Sequence, residues 1–134
     1  MARALLAAFV VLLLGFITVT YAALEGGGVV TALTVDPASG EQRKTHIWFV
    51  SEGKEVLLEA GAPDSPWVRD LADGSTLTLV GEGIDGRYDF RIRPGGHDRI
   101  RSLMRAKYGW RDEWVELLFD VSHSQLVEIE RTEN

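Results

Sequence analysis

Gly81–Arg93 reads G-E-G-I-D-G-R-Y-D-F-R-I-R, and two folds compete for it. Its first six residues spell G-x-G-x-x-G, the spacing of a dinucleotide-binding turn. That turn needs a helix directly after it, because the pyrophosphate rests on the helix N-terminus. Strict alternation comes next instead. Tyr88, Phe90 and Ile92 fall on one side, with Arg87, Asp89, Arg91 and Arg93 on the other, which is the period of a half-buried strand. The glycines therefore belong to a hairpin, with Asp85-Gly86 as its expected two-residue turn, and a Rossmann fold is excluded.

The same period recurs on both sides of this stretch. Val29–Val35 is apolar and β-branched, and the turn cluster Asp36-Pro37-Ala38-Ser39-Gly40 follows it. Thr45–Ser51 (T-H-I-W-F-V-S) reads as a second strand, Glu52-Gly53 as a tight turn and Glu55–Ala60 as a third strand. Ser75–Val80, Arg87–Arg93 and Val121–Ile129 add three more. Helices enter at two places. A short one is expected from Ser65 to about Ala72. Beyond Pro94-Gly95-Gly96, one starts near Asp98 with Ile100, Leu103 and Met104 at core spacing, and Trp110–Phe119 forms another with Trp110, Trp114, Leu117 and Leu118 as its buried stripe. Connections this short suit only antiparallel pairing. The expected fold is mainly β with α: a six-stranded antiparallel barrel with flanking helices over residues 26–134.

Residues 1–25 are a separate object. Ala4–Leu24 carries no charge and ends at Glu25; about 20 apolar residues cross a bilayer core roughly 30 Å thick. A signal peptide is the rival reading, with Thr20-Tyr21-Ala22 as its cleavage site. Length and a weak n-region favour a retained single-pass anchor. Arg3 and the amino terminus place the N-terminus in the cytoplasm and the globular part outside. Gly26-Gly27-Gly28 is expected to be a flexible link.

Composition removes several function classes. The 134 residues carry a net charge of −6 and a pI near 5.0, so no basic footprint for nucleic acid is expected. No cysteine is present, which rules out disulfides, thiolate metal sites and cysteine nucleophiles. His46, His97 and His123 have no paired spacing, so no metal site is expected, and His46 reads as a satisfied sheet histidine. No Ser-His-Asp order is visible. Arg99, Arg101, Arg105 and Lys107 crowd one helix, as a solvated face or as a cationic wall for an anion.

Leu57–Leu71 (L-L-E-A-G-A-P-D-S-P-W-V-R-D-L) bears most directly on function. A strand runs into the bare loop Ala60-Gly61-Ala62, where backbone can approach a ligand closely. Ser65 then suits the N-cap and Pro66 the first helical position. An ordinary strand-to-helix connection and an anion cradle both fit this pattern.

Together the T-H-I-W-F-V strand, the A-G-A-P-D-S-P-W-V-R-D-L loop and K-Y-G-W-R-D (Lys107–Asp112) resemble the flavin-binding split β-barrel superfamily, the pyridoxamine-phosphate-oxidase-like fold. Within it the chain looks like the deazaflavin-dependent nitroreductase or quinone-reductase branch. The resemblance implies a homodimer with FMN or a deazaflavin at the subunit interface. It implies that Arg43, Lys44, Thr45 and His46 on the second strand, with Ala60, Gly61, Ser65 and Trp67 after the third, hold the cofactor. It further implies hydride transfer to a small quinone-like or nitro electron acceptor. Glu59 and Asp64 depart from the family pattern by adding negative charge at the loop. Two other classes stay open, a split-barrel binding module for haem or another anionic ring and a cofactor-free structural protein tethered to the membrane. No residue is assigned a catalytic role.

Overall fold

In the computed structural model, residues 1–133 are described. The elements in chain order are α1 (Ala2–Glu25), β1 (Val30–Val35), β2 (Gln42–Ile47), β3 (Phe49–Glu52), β4 (Glu55–Ala60), α2 (Pro66–Ala72), β5 (Leu77–Val80), β6 (Gly86–Arg93), α3 (His97–Tyr108), α4 (Trp110–Leu118) and β7 (Gln125–Arg131). Seven strands form one antiparallel sheet in the order β2-β1-β5-β6-β7-β4-β3. The sheet curls into a half-barrel, and its two end strands are consecutive in the chain, separated by Trp48 alone.

That separation corrects the expected count of six. The run Thr45–Ser51 is not one strand, because pairing changes from β1 to β4 across Trp48. The Trp48 ring stacks on Tyr108 at 4.0 Å and 9°, and its indole N–H donates to the Leu24 carbonyl at 2.9 Å. Both partners lie far away in sequence.

Alternation places the core. Leu58 and Ala60 of β4 face the concave side with Val30, Ala32, Leu77, Leu79, Val127 and Ile129, against Trp67, Val68 and Leu71 of α2. Tyr88, Phe90 and Ile92 pack on that side as the alternation requires. Leu57 and Leu126 face the other way and meet Ile100, Met104 and Tyr108 of α3. The hairpin before β6 is wider than expected. Gly86 is already in the strand, paired with Leu79, and the reversal spans Gly81–Asp85, tied by the Asp85 carboxylate accepting the Gly81 N–H at 3.1 Å. The last strand starts later than expected, at Gln125, because Val121–Ser124 is closed as a turn by the Ser124 N–H to the Val121 carbonyl.

Two further expectations are corrected. The glycine link is packed rather than loose: Tyr108 donates to the Gly28 carbonyl at 2.8 Å, and a Cβ on Gly27 would lie 2.5 Å from the Tyr108 ring. The stripe on α4 is not buried in the domain either. Trp110 is 48% exposed and Leu117 76%, while Asp112 of the same helix is fully buried. Periodicity identified the stripe but could not say which way it faces.

Candidate functional site

A cleft of about 590 Å³ opens where β2, the loop after β4, α2 and the ends of α1 and α4 meet. Thr45, His46, Gly61, Ser65 and Trp67 line it, so five of the eight residues expected to hold a cofactor share one cavity. Trp48, which pattern reading passed over as a strand residue, lines it as well, as do Leu24 and Glu25 from α1 and Val115 and Phe119 from the α4 end. Contributions from both helices were not foreseeable. They depend on the packed glycine link, which brings the end of α1 against the sheet.

The remaining three expected residues lie elsewhere. Ala60 is fully buried in the core beneath the loop. Lys44 is exposed and does not line the cleft. Arg43 is engaged by Asp70: its Nε donates to the Asp70 carboxylate at 2.9 Å, which also accepts the Thr34 hydroxyl at 2.7 Å. Asp70 is buried, and the Arg43 hydrogen bond holds its pKa below the usual carboxylate value against the opposing effect of burial.

The loop itself departs from its expected capping. The Ser65 hydroxyl donates back to the Ala62 carbonyl at 2.8 Å and makes no capping bond to α2. Gly61 behaves as its position suggested. A Cβ built there meets nothing within 4 Å, so the backbone borders open cleft.

Charges around the cleft are mostly paired. His46 Nδ1 lies 2.9 Å from the Glu25 carboxylate, so this strand histidine has a partner, supplied by the end of α1. Glu59 is gripped by Arg101 at 2.8 and 2.9 Å and accepts the Ser124 hydroxyl at 3.2 Å. Arg101 also donates to Asp112 at 2.6 Å and to Glu116 at 2.9 Å. Burial alone would lower the Arg101 pKa, but hydrogen bonds to Glu59 and Glu116 outweigh it and keep the guanidinium charged. Neither expected reading of the α3 cations survives intact. Arg101 is buried in this network, Arg105 pairs with Glu116, Arg99 pairs with Glu52 and Glu55, and Lys107 donates to the Phe49 carbonyl at 2.6 Å over the Phe49 ring. These cations are committed to the protein's own acceptors, and the paired ones face carboxylates, not a free anion.

No family model matches the chain, and no curated protein sequence matches it. Solved structures do share its fold. One is an F420 reductase, 12% identical with a TM-score of 0.52, where 84% of this chain and 93% of that one are covered. Another is 18% identical with a TM-score of 0.50, over 85% of this chain and 80% of that one. A protein of unknown function from Agrobacterium tumefaciens, Atu2129, is 16% identical with a TM-score of 0.51, over 87% of this chain and 55% of its own. Identities this low establish a likeness of fold alone.

Part of the lining suits the ring of the FMN or deazaflavin that the sequence resemblance implies: Gly61 and Ala62 leave a bare wall, Thr45 and Ser65 supply polar edges, and half-buried Trp48 and largely buried Trp67 border the cleft. The phosphate end does not find the same fit: His46, the one basic side chain among the lining residues, is paired with Glu25, and Glu59 and Asp120 add further negative charge.

Proposed function

We propose that this protein is a membrane-anchored split-barrel oxidoreductase that binds FMN or a deazaflavin and passes hydride to a small quinone-like or nitro electrophile. The observation that carries the reading is the cleft, which unites Thr45, His46, Gly61, Ser65 and Trp67 in a fold similar to that of an F420 reductase. The bound ring would supply the hydride chemistry. The chain's own residues would bind and shield it: Gly61 lets the ring edge reach the backbone, Trp48 shields it from water, and Thr45 and Ser65 offer hydrogen bonds at its edge. In this reading a second copy covers the open side of the cleft, making the working unit a homodimer. The 24-residue helix α1, with a mean hydropathy of 2.4 over 18 residues, remains attached as the anchor in this reading, with the globular part outside the cytoplasm.

Absorbance of the full chain purified in detergent, followed by titration with FMN and with a deazaflavin, tests the proposal. A flavin-type band or saturable binding of either ring supports it. A Soret band points to a haem-binding module, and failure to bind any ring leaves a structural role.

A further inference from the structure

Helix α4 is inside out, and we infer that its outward face is seated in the lipid bilayer at the level where α1 leaves it. Its carboxylates Asp112 and Glu116 point at the domain and are neutralised there by Arg101 and Arg105. At 100° per residue, Trp110, Trp114, Leu117 and Leu118 fall on the opposite side. Of these, Trp110, Leu117 and Leu118 are exposed. Two charges border this face: exposed Glu113 beside Leu117, and half-buried Arg111 beside Leu118. They rim an apolar stripe, and a stripe between charged flanks is the pattern of a helix lying at an apolar boundary.

The contact with α1 says which environment. Trp114 packs against Phe16 with ring centroids 5.8 Å apart and donates to the Thr20 hydroxyl at 3.1 Å, and Arg111 donates to the Ala22 carbonyl at 3.3 Å. Phe16 and Thr20 belong to the uncharged run of α1. In the anchor proposed above, on which this inference rests, α1 spans the bilayer and Glu25 lies at the water boundary; with about 1.5 Å of rise per residue, Thr20 lies about 7.5 Å and Phe16 about 13.5 Å below it. Interfacial helices bury their apolar faces about 5–10 Å into the headgroup and acyl boundary. Exposed Tyr21 on α1 and Trp110 on α4 are residue types that favour this boundary. The outward face of α4 is continuous with the exposed apolar surface of α1, so one lipid phase covers both. A second copy of the chain would have to cover α4 while leaving α1 to lipid.

The absence of cysteine permits a clean test. Single variants Leu117→Cys, Leu118→Cys and Lys54→Cys, each in the full chain, are nitroxide-labelled and reconstituted in phosphatidylcholine vesicles. Leu117 and Lys54 are exposed, so neither change disturbs packing, and Leu118 gives an independent reading of the same face. Labels at 117 and 118 should collide readily with dissolved oxygen and be shielded from a water-soluble nickel chelate at least tenfold more than the label at 54. Equal nickel access at 117, 118 and 54 would overturn the inference. So would shielding from both reagents with spin–spin broadening, which is the signature of a second copy on this face.

Discussion

Replacing Arg101 by Met should destabilise the domain by about 3 kcal/mol, far more than any other single change to a charged residue of α3. Arg101 is 7% exposed and holds Glu59, fully buried Asp112 and Glu116 together. Met preserves most of the side-chain length but strands two carboxylates away from water, and breaking a buried ion pair in this way costs roughly 3–5 kcal/mol. The lower end applies because the network is already imperfect: Arg101 Nε and Asp112 Oδ2 have no hydrogen-bond partner. At about 4 °C per kcal/mol for a domain of this size, the midpoint should fall by roughly 12 °C. The intrinsic fluorescence of Trp48 and Trp67 in the full chain in detergent reports the transition, with urea titration to confirm an unchanged m-value. Arg105→Met is the control, since Arg105 is exposed and its pair with Glu116 is solvent-screened; it should cost under about 1 kcal/mol. The pH dependence adds a second check. The Glu116 pKa is lowered, chiefly by its hydrogen bond from Arg101. Its contribution is therefore present above its ordinary value and lost as pH falls through the lower folded value. The gap between parent and variant should be widest near neutrality and narrow below about pH 4.5. A loss under about 1 kcal/mol at neutral pH, or a gap that widens in acid, would refute this account of the network.

Gly61→Val should leave the fold intact, since the new Cβ meets nothing within 4 Å, yet weaken binding of FMN or a deazaflavin by at least about 100-fold, as read by cofactor titration with circular dichroism to confirm folding. Arg43→Ala should act on stability rather than on ligand affinity, because it leaves buried Asp70 with Thr34 alone; a thermal midpoint unchanged within about 2 °C would contradict this. Tyr108, whose pKa burial pushes up to about 12 from an ordinary 10.0, favours the folded state fully below pH 10 and loses that contribution as pH rises toward 12; spectrophotometric titration should show one tyrosine ionising together with cooperative alkaline unfolding. Full-length protein in detergent should scatter light as a dimer, and a strict monomer at micromolar concentration would remove the second wall of the proposed site.

The hairpin and sheet were legible because alternation is local. Gly81–Arg93 announced a strand after a glycine turn, and the residues of β6 face as that pattern requires. Similarly, Ala60-Gly61-Ala62 was readable as a bare loop because small residues leave backbone open. What stayed hidden depends on partners distant in sequence. The strand breaks at Trp48 because that ring finds Tyr108 and the end of α1. Arg101 looked like one more cation on a helix because Glu59 sits 42 positions earlier. The stripe on α4 was visible, but a period carries no sign, and the choice between domain and exterior was made by where Arg101 could pair with Asp112 and Glu116.

The Tyr108 hydroxyl donates to Gly28 and accepts the N–H of Phe49, and this one phenol sets an order of events during synthesis. Gly28 and Tyr108 are 80 positions apart, which at about 5–20 residues per second separates their emergence by roughly 4–16 s. The apolar N-terminal helix is therefore made well before the residue that clamps its base exists. Trp48 and His46 emerge earlier and give the sheet its first ties to Leu24 and Glu25. The glycine link itself closes only when Tyr108 packs over Gly27, so the last fixing of the domain against its first helix is a late step of folding.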